Sequence, residues 1–379
     1  MNILSILLFF IGLGVLVTIH EFGHFSMAKL FNVYVNEFAI GFGPRIFHKK
    51  KGETTYSVRA IPLGGFVSMY GEGIEITDGS VPEERSLLGI KKWKRAIIMV
   101  AGVTLNVALA FLLFVGYFAT TTQIDTRYNR LYIEENSVAY NAGLRTEDNI
   151  IQIDYHAFVT VGDKQEEVPV HSYENIKNGS DLYKAFMHLY TDDSIKKTEL
   201  YPNSKDDYVD LTFHTDNNKQ IEIRLEVEEE SGQFSYDYVA KGIKFLGRKL
   251  GFFQVIGSAF KETGESSILI YRTLGQLFNK EVFENLGGPI AIFKASTAAY
   301  KQGFGYYLHL WGVISINLAV INLLPFPGLD GWHLLVVAVE GITKKEIPEK
   351  VKSIVSTIGL LLLFGLMAII TVKDVLGLF

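Results

Sequence analysis

The segment Ile3–Leu30 reads ILSILLFFIGLGVLVTIHEFGHFSMAKL. A helix rises 1.5 Å per residue, so about 20 apolar residues are enough to cross a bilayer. The segment therefore predicts a membrane-spanning helix, with the polar cluster His20-Glu21-Phe22-Gly23-His24 near its C-terminal end. Its apolar run is longer than the core of a signal peptide and lacks a basic start and a small-residue cleavage site. We therefore expect the helix to be retained.

Three more apolar stretches follow in the 379-residue chain, in which 48% of the residues are hydrophobic. They predict spans from Ala96 to Ala119, from near Tyr306 to a break at Pro325-Phe326-Pro327-Gly328, and from about Ile354 to Val372. Residues 266–278 are too short for a span, so we interpret them as part of an amphipathic surface helix between Gly251 and Phe283. Residues 120–250 have the composition of a water-exposed globular domain.

Composition excludes several classes of protein and site. The chain has no cysteine, which excludes disulfides, thiolate catalysis and cysteine-bound zinc. Its net charge of −5 argues against a nucleic-acid partner. Any metal ion must therefore be bound by histidine and carboxylate side chains.

Lysine and arginine predict the orientation of the spans, because short cytoplasmic loops carry an excess of them. They are concentrated in the loop between spans one and two (Arg45, Lys49, Lys50, Lys51, Arg59, Arg85, Lys91, Lys92, Lys94 and Arg95) and in the loop between spans three and four (Lys344, Lys345, Lys350 and Lys352). We expect both loops in the cytoplasm, and both termini and the globular domain outside. Spans one and three then run in the same direction, which brings His20, His24 and Asp330 to the same depth.

The cluster in span one matches the pattern HExxH. Positions i and i+4 of a helix share one face, so His20 and His24 can bind one Zn²⁺, and Glu21 can accept a proton from the attacking water. A surface helix without metal is the alternative. Ionisable residues inside a span are costly and typically functional, which favours the metal site.

A catalytic zinc site usually has three protein ligands and one open position. Asp330 is the candidate third ligand, because it follows the helix break at Pro325–Gly328, and irregular backbone at membrane depth is tolerated only beside protein or a cavity. His333 is a second, lower-ranked candidate. Alternatively Asp330 only caps a helix over residues 331–340, although a cap can also be a ligand.

Three stretches together resemble the site-2 protease family of bacteria, and in particular its RseP-type branch. They are HEFGH in span one, NLLPFPGLDG over residues 322–331, and NLGGPI over residues 285–290; AGVTLN over residues 101–106 fits as well. Two positions depart from the family pattern. Val103 stands where the family often has proline, and Trp332 replaces the second glycine of LDGGH.

The resemblance implies an intramembrane zinc metalloprotease that hydrolyses peptide bonds within transmembrane segments, such as those of anti-sigma factors or remnant signal peptides. It implies that His20, His24 and Asp330 bind zinc and that Glu21 is the catalytic base. Asn322 is implied to bind the substrate strand, together with Pro325 and Pro327 of the same motif. The expected partners are single-pass membrane proteins already shortened by another protease.

Residues 37–70 alternate apolar and polar positions around a turn at Lys51-Gly52-Glu53, which predicts a β-hairpin. Close backbone approach is possible at Gly41, Gly43, Gly64 and Gly65. Lipid offers no hydrogen-bond partner to an unwound substrate, so we expect the hairpin to lie in the membrane near the zinc and to accept the substrate as an added strand. A hairpin that only rests on the cytoplasmic surface is the alternative.

Residues 137–144 (SVAYNAGL) and 147–154 (EDNIIQID) resemble the start of a PDZ domain. We expect one such domain over residues 125–245, with an insertion at about 155–210 that contains a helix around Ser180–Tyr190. In the family these domains act as size filters for substrates; a spacer that binds no peptide is the alternative.

The expected fold is a polytopic α-helical membrane protein with four transmembrane helices, a membrane-associated β-hairpin and an extracytoplasmic PDZ-like α+β domain. The expected regions are 1–124, 125–245, 246–305 (amphipathic surface helix and linker) and 306–379, in the lipid bilayer of the bacterial cytoplasmic membrane. A non-catalytic PDZ scaffold is disfavoured because all three ligands and the base are present. A metal transporter is disfavoured because the other spans lack a continuous polar stripe.

Overall fold

A computed structural model describes residues 3–71, 81–161, 164–191, 208–230, 233–236, 239, 241–276, 279 and 287–376. The end of the predicted amphipathic stretch, residues 285–286 of the NLGGPI stretch and residues 192–207 of the predicted insertion lie outside the described residues.

The helices are α1 (Ile3–Leu30), α2 (Lys92–Thr120), α3 (Val138–Asn141), α4 (Gly179–Thr191), α5 (Phe252–Gly275), α6 (Pro289–Gln302), α7 (Phe304–Asn322), α8 (Asp330–Thr343) and α9 (Glu349–Leu376). The strands are β1 (Val35–Lys51), β2 (Thr54–Met69), β3 (Gln123–Ile124), β4 (Leu131–Ile133), β5 (Ile150–Val161), β6 (Lys164–Tyr173), β7 (Tyr208–Thr215), β8 (Gln220–Glu230), β9 (Gln233–Tyr236), β10 (Ile243–Phe245) and β11 (Gly247–Arg248).

Four of these helices, α1, α2, α7 and most of α9, are long and apolar enough to cross a membrane, which confirms the predicted number of long apolar helices. They belong to a compact unit formed by residues 1–121 and 250–379. Its centre is built from α1, α2 and α7: Leu16 of α1 packs with Trp311 of α7, and Phe114 of α2 packs with Ile316 of α7. Helices in lipid associate mainly through such close side-chain packing.

Helix α6 lies in a region for which the sequence predicts only a surface helix and a linker. Pro289 occupies its first turn, where the missing backbone N–H has no helical partner to lose. The carboxylate of Asp374 in α9 accepts hydrogen bonds from the backbone N–H groups of Gly288 (3.0 Å) and Ala291 (3.1 Å). A single proline and a distant cap therefore start this helix, and the cap is not visible in the local sequence.

Strands β1 and β2 are antiparallel and joined at a turn that contains Gly52. Residues 37–40 of β1 pair with residues 65–68 on one side and with residues 55–58 on the other. The two strands therefore bend back on themselves, and the segment Gly65–Met69 pairs with β1 along one of its sides.

Residues 122–249 form the second compact unit. Its main sheet is antiparallel in the order β6-β5-β7-β8-β9, and two short pairs, β10-β4 and β11-β3, complete the strand pairing of the described residues. Leu182 and Phe186 of α4 are fully buried with Leu211 and Phe213 of β7, so the helix covers one face of the sheet.

Candidate active site

Two histidines and an aspartate from distant parts of the chain lie close enough to bind a single ion. Oδ2 of Asp330 is 3.2 Å from Nε2 of His20 and 3.4 Å from Nε2 of His24, and the two Nε2 atoms are 3.2 Å apart. Ligands about 2.0–2.1 Å from a tetrahedral zinc ion are about 3.3–3.4 Å from one another. Among the described residues, no other group of three histidine or acidic side chains is placed to bind a metal ion.

The positions of these three residues follow from the elements that carry them. His20 and His24 are four residues apart on the buried face of α1. Asp330 is the first residue of α8, directly after the break that contains Pro325 and Pro327. The N-cap position belongs to Leu329, and no side chain caps the helix. The alternative role of Asp330 as the cap residue is therefore not seen.

The donor set fits a zinc ion. The Oδ2 atom of Asp330 is buried and has no hydrogen-bond partner, although burying an unpaired carboxylate oxygen is costly. The atoms nearest to it in the cluster are two imidazole nitrogens. Two histidine nitrogens, one carboxylate oxygen and one open position form the ligand set of hydrolytic zinc sites.

Helix α2 contacts the far side of both imidazoles. Nδ1 of His24 is 2.8 Å from the carbonyl oxygen of Ile98, and Nδ1 of His20 is 3.2 Å from the amide nitrogen of Asn106. Sequence reasoning missed both contacts. The sequence does mark Asn106, because it is a polar residue in an apolar span. No side-chain pattern could identify the backbone carbonyl of Ile98.

Glu21 and Asn322 lie beside the cluster. Glu21 is partly buried, and its Cγ is 3.5 Å from the point where a Cβ on Gly65 of β2 would lie. That Cβ would also be 2.7 Å from the carbonyl oxygen of Ala39, so only glycine allows β2 to approach this closely. Nδ2 of Asn322 is 3.3 Å from Nε2 of His20.

Other residues singled out from the sequence lie elsewhere. His333 does not join the cluster; it lines a cavity of about 220 Å³ together with Arg95 and Lys352. Gly41 and Gly43 lie beside Ile61 where β1 bends, and Gly64 lies against the ring of Phe42. These three glycines shape the hairpin, whereas a Cβ on Gly65 would lie next to Glu21.

The chain is similar along its length to a peptidase family and to proteins named as zinc metalloproteases. Peptidase family M50 matches residues 8–366. The chain is 32% identical to "Putative zinc metalloprotease CPE1693" of Clostridium perfringens, with 97% of each chain covered, and 30% identical to "Putative zinc metalloprotease RC0203" of Rickettsia conorii, with 99% of each covered. It is 26% identical to "Probable protease eep" of Enterococcus faecalis, with 98% of each covered. The match over nearly the whole chain places this protein in peptidase family M50.

Proposed function

We propose that this protein is an intramembrane zinc metalloprotease that hydrolyses peptide bonds in the transmembrane segments of membrane proteins. The observation that carries the proposal is the convergence of His20, His24 and Asp330 from two apolar parts of the chain, with Glu21 beside them. Such residues are expensive at membrane depth and are retained for function.

In this proposal His20, His24 and Asp330 bind the zinc ion. When bound, zinc supplies a Lewis acid that polarises the scissile carbonyl and lowers the pKa of water. Glu21 accepts the proton of the attacking water and passes it to the amine that leaves. The amide of Asn322, next to the cluster, can donate a hydrogen bond to the backbone of the substrate near the reacting carbonyl.

We further propose that the substrate binds as an extended strand beside β2. A transmembrane helix must unwind before its carbonyl groups become accessible, and its backbone groups then need partners that lipid cannot offer. The pairing of Gly65–Met69 with β1 on one side leaves the other side of this segment as a candidate edge. Because Gly65 lies against Glu21, a strand added there would pass the base.

Membrane orientation and the role of residues 122–249 complete the proposal. The lysine-rich and arginine-rich loops support an active site toward the cytoplasm and a second unit outside the cytoplasmic membrane. Residues 125–245 would then act as a PDZ-like size filter that admits single-pass substrates already cut by another protease, such as anti-sigma factors or remnant signal peptides. Deleting this region should make uncut substrates cleavable; if they stay uncut, the filter role is wrong.

The decisive experiment compares the wild type with Glu21→Gln and with Glu265→Gln, a control on the exposed face of α5. Zinc content and cleavage of a transmembrane peptide are measured on the purified full chain. We expect wild type and both variants to bind zinc and only Glu21→Gln to lose cleavage. Normal cleavage by Glu21→Gln would overturn the assignment of the base.

Strand addition is tested on the substrate. Proline cannot donate a backbone hydrogen bond, so proline at alternate positions of the cleaved segment should block cleavage where the N–H would face β2. Uniform cleavage of the whole proline series would contradict an added strand.

A further inference from the structure

Helix α2 presents three groups to the two imidazoles at intervals of one turn. They are the carbonyl oxygen of Ile98, the bare Cα of Gly102 and the side chain of Asn106, which share one face because they are four residues apart. A Cβ on Gly102 would be 2.4 Å from Nε2 of His24 and 2.8 Å from Cε1 of His20. Glycine at this position therefore allows α2 to contact both rings.

The two rings face the same chemical requirement. A neutral imidazole that offers the lone pair of Nε2 to an ion must carry its proton on Nδ1 and donate it to an acceptor. The carbonyl of Ile98 can only accept, so it sets the ring of His24 in this form. His20 meets an amide instead, and an amide can either donate or accept.

The two amides around His20 conflict with each other. Nδ2 of Asn106 is 3.2 Å from Nδ1 of the ring, and Nδ2 of Asn322 is 3.3 Å from its Nε2. A neutral imidazole has one donor and one acceptor nitrogen, so it cannot accept from both amides. Asn106 is completely buried, and its Oδ1 has no hydrogen-bond partner. Turning the Asn106 amide by 180° resolves the conflict, because Oδ1 then accepts the Nδ1 proton of His20.

We propose that Asn106 is the positioning residue of His20: its side-chain carbonyl accepts the Nδ1 proton and directs Nε2 toward His24 and Asp330. It thus does for His20 what the carbonyl of Ile98 does for His24. The inference rests on the proposed function, since it concerns a ring that binds zinc. It adds span two, which contributes no ligand, to the metal site.

The test compares variants of the full-length protein in detergent. Asn106→Leu has a similar size but no acceptor, whereas Asn106→Asp keeps an acceptor oxygen. Thr104→Val is the matched control, because Thr104 lies in the same span and its hydroxyl donates to the carbonyl of Val100 in its own helix. Zinc affinity is measured by competition with a fluorescent zinc chelator, and the thermal unfolding of the metal-free proteins reports whether each variant is folded.

We expect Asn106→Leu to bind zinc about 10- to 100-fold more weakly, as is typical when a contact behind a metal ligand is lost. Asn106→Asp and Thr104→Val should bind it nearly as the wild type does. Wild-type affinity in Asn106→Leu would overturn the inference. If that variant does not fold, Asn106→Ala replaces it, and the same loss relative to Asn106→Asp is required. If the wild type itself binds no zinc, the proposed function fails; if wild type and Asn106→Leu bind equally, only the role of Asn106 fails.

Discussion

A carboxylate oxygen is buried near each end of α8, and the two carboxylates differ in the hydrogen-bond donors around them. Near the end of the helix, Glu340 is fully buried and its oxygens accept from Arg95 (3.3 Å), Lys352 (3.2 Å) and the backbone N–H of Ile347 (3.2 Å). At its start, Oδ2 of Asp330 is buried without a hydrogen bond, beside two imidazoles.

The difference separates a carboxylate that is held by protein donors from the one that we propose as a zinc ligand. Glu340 joins α2, α8 and α9 through its partners, and its negative charge is paired with two cations. Oδ2 of Asp330 accepts no hydrogen bond and faces the Nε2 atoms of His20 and His24, which are themselves atoms that can bind a metal ion. A buried acid in this protein is therefore best judged by the donors around it rather than by its burial.

The largest effect expected is that of Asp330→Asn on zinc binding. The amide has nearly the same shape but loses the anionic ligand, so zinc affinity should fall by more than about 100-fold, beyond the usual effect of losing a contact behind a ligand. The metal-free variant should still fold cooperatively, because Oδ2 of Asp330 accepts no hydrogen bond that the substitution would remove. Chelator competition measures the first and thermal unfolding of the metal-free protein the second.

If Asp330→Asn unfolded the metal-free protein, the contrast between Asp330 and Glu340 would be wrong. Asp330 would then be a structural residue like Glu340. Retained zinc affinity would instead remove Asp330 from the ligand set and leave His20 and His24 in need of another partner.

The sequence predicts the surroundings of Asp330 at the start of α8 much better than those of Glu340 near its end. HExxH in an apolar span and a charge-derived topology are enough to bring His20, His24 and Asp330 to one depth. The ion pair of Arg95 and Glu340 cannot be predicted from the sequence, because no local pattern connects residues on separate helices. Asn106 lies between these cases: its polarity in span two is a signal, but its partner depends on how α1 and α2 pack.

The second prediction concerns Glu340→Gln, the same chemical change at the other end of the helix. It replaces the carboxylate that Arg95 and Lys352 contact with a neutral amide and so breaks a buried ion-pair cluster, and we expect a loss of about 3–5 kcal/mol in the free energy of unfolding. Zinc affinity of the folded protein should not change. Glu346→Gln is the control, because Glu346 is exposed in the same α8–α9 connection. Equal stability of the two variants would show that the Glu340 interactions contribute nothing net.

The smallest expected effect is the pH dependence of the stability difference between the wild type and Glu340→Gln. Burial alone would raise the pKa of Glu340, but the N–H of Ile347, Lys352 and Arg95 together lower it below its ordinary value. A depressed pKa in the folded state gives a stabilisation that is present above the unfolded pKa of about 4.3 and is lost as the pH falls through the folded value.

The melting temperatures of metal-free wild type and Glu340→Gln should therefore differ by a constant amount between about pH 7 and pH 5 and converge below about pH 4. Other acids cancel in this difference because they titrate in both proteins; Glu37, whose pKa is lowered to about 2 by Arg45, Ser57 and Arg59 against the opposing effect of burial, is one of them. A difference that stays constant down to pH 3 would mean that Glu340 does not titrate there and that its charge is not what stabilises this end of α8.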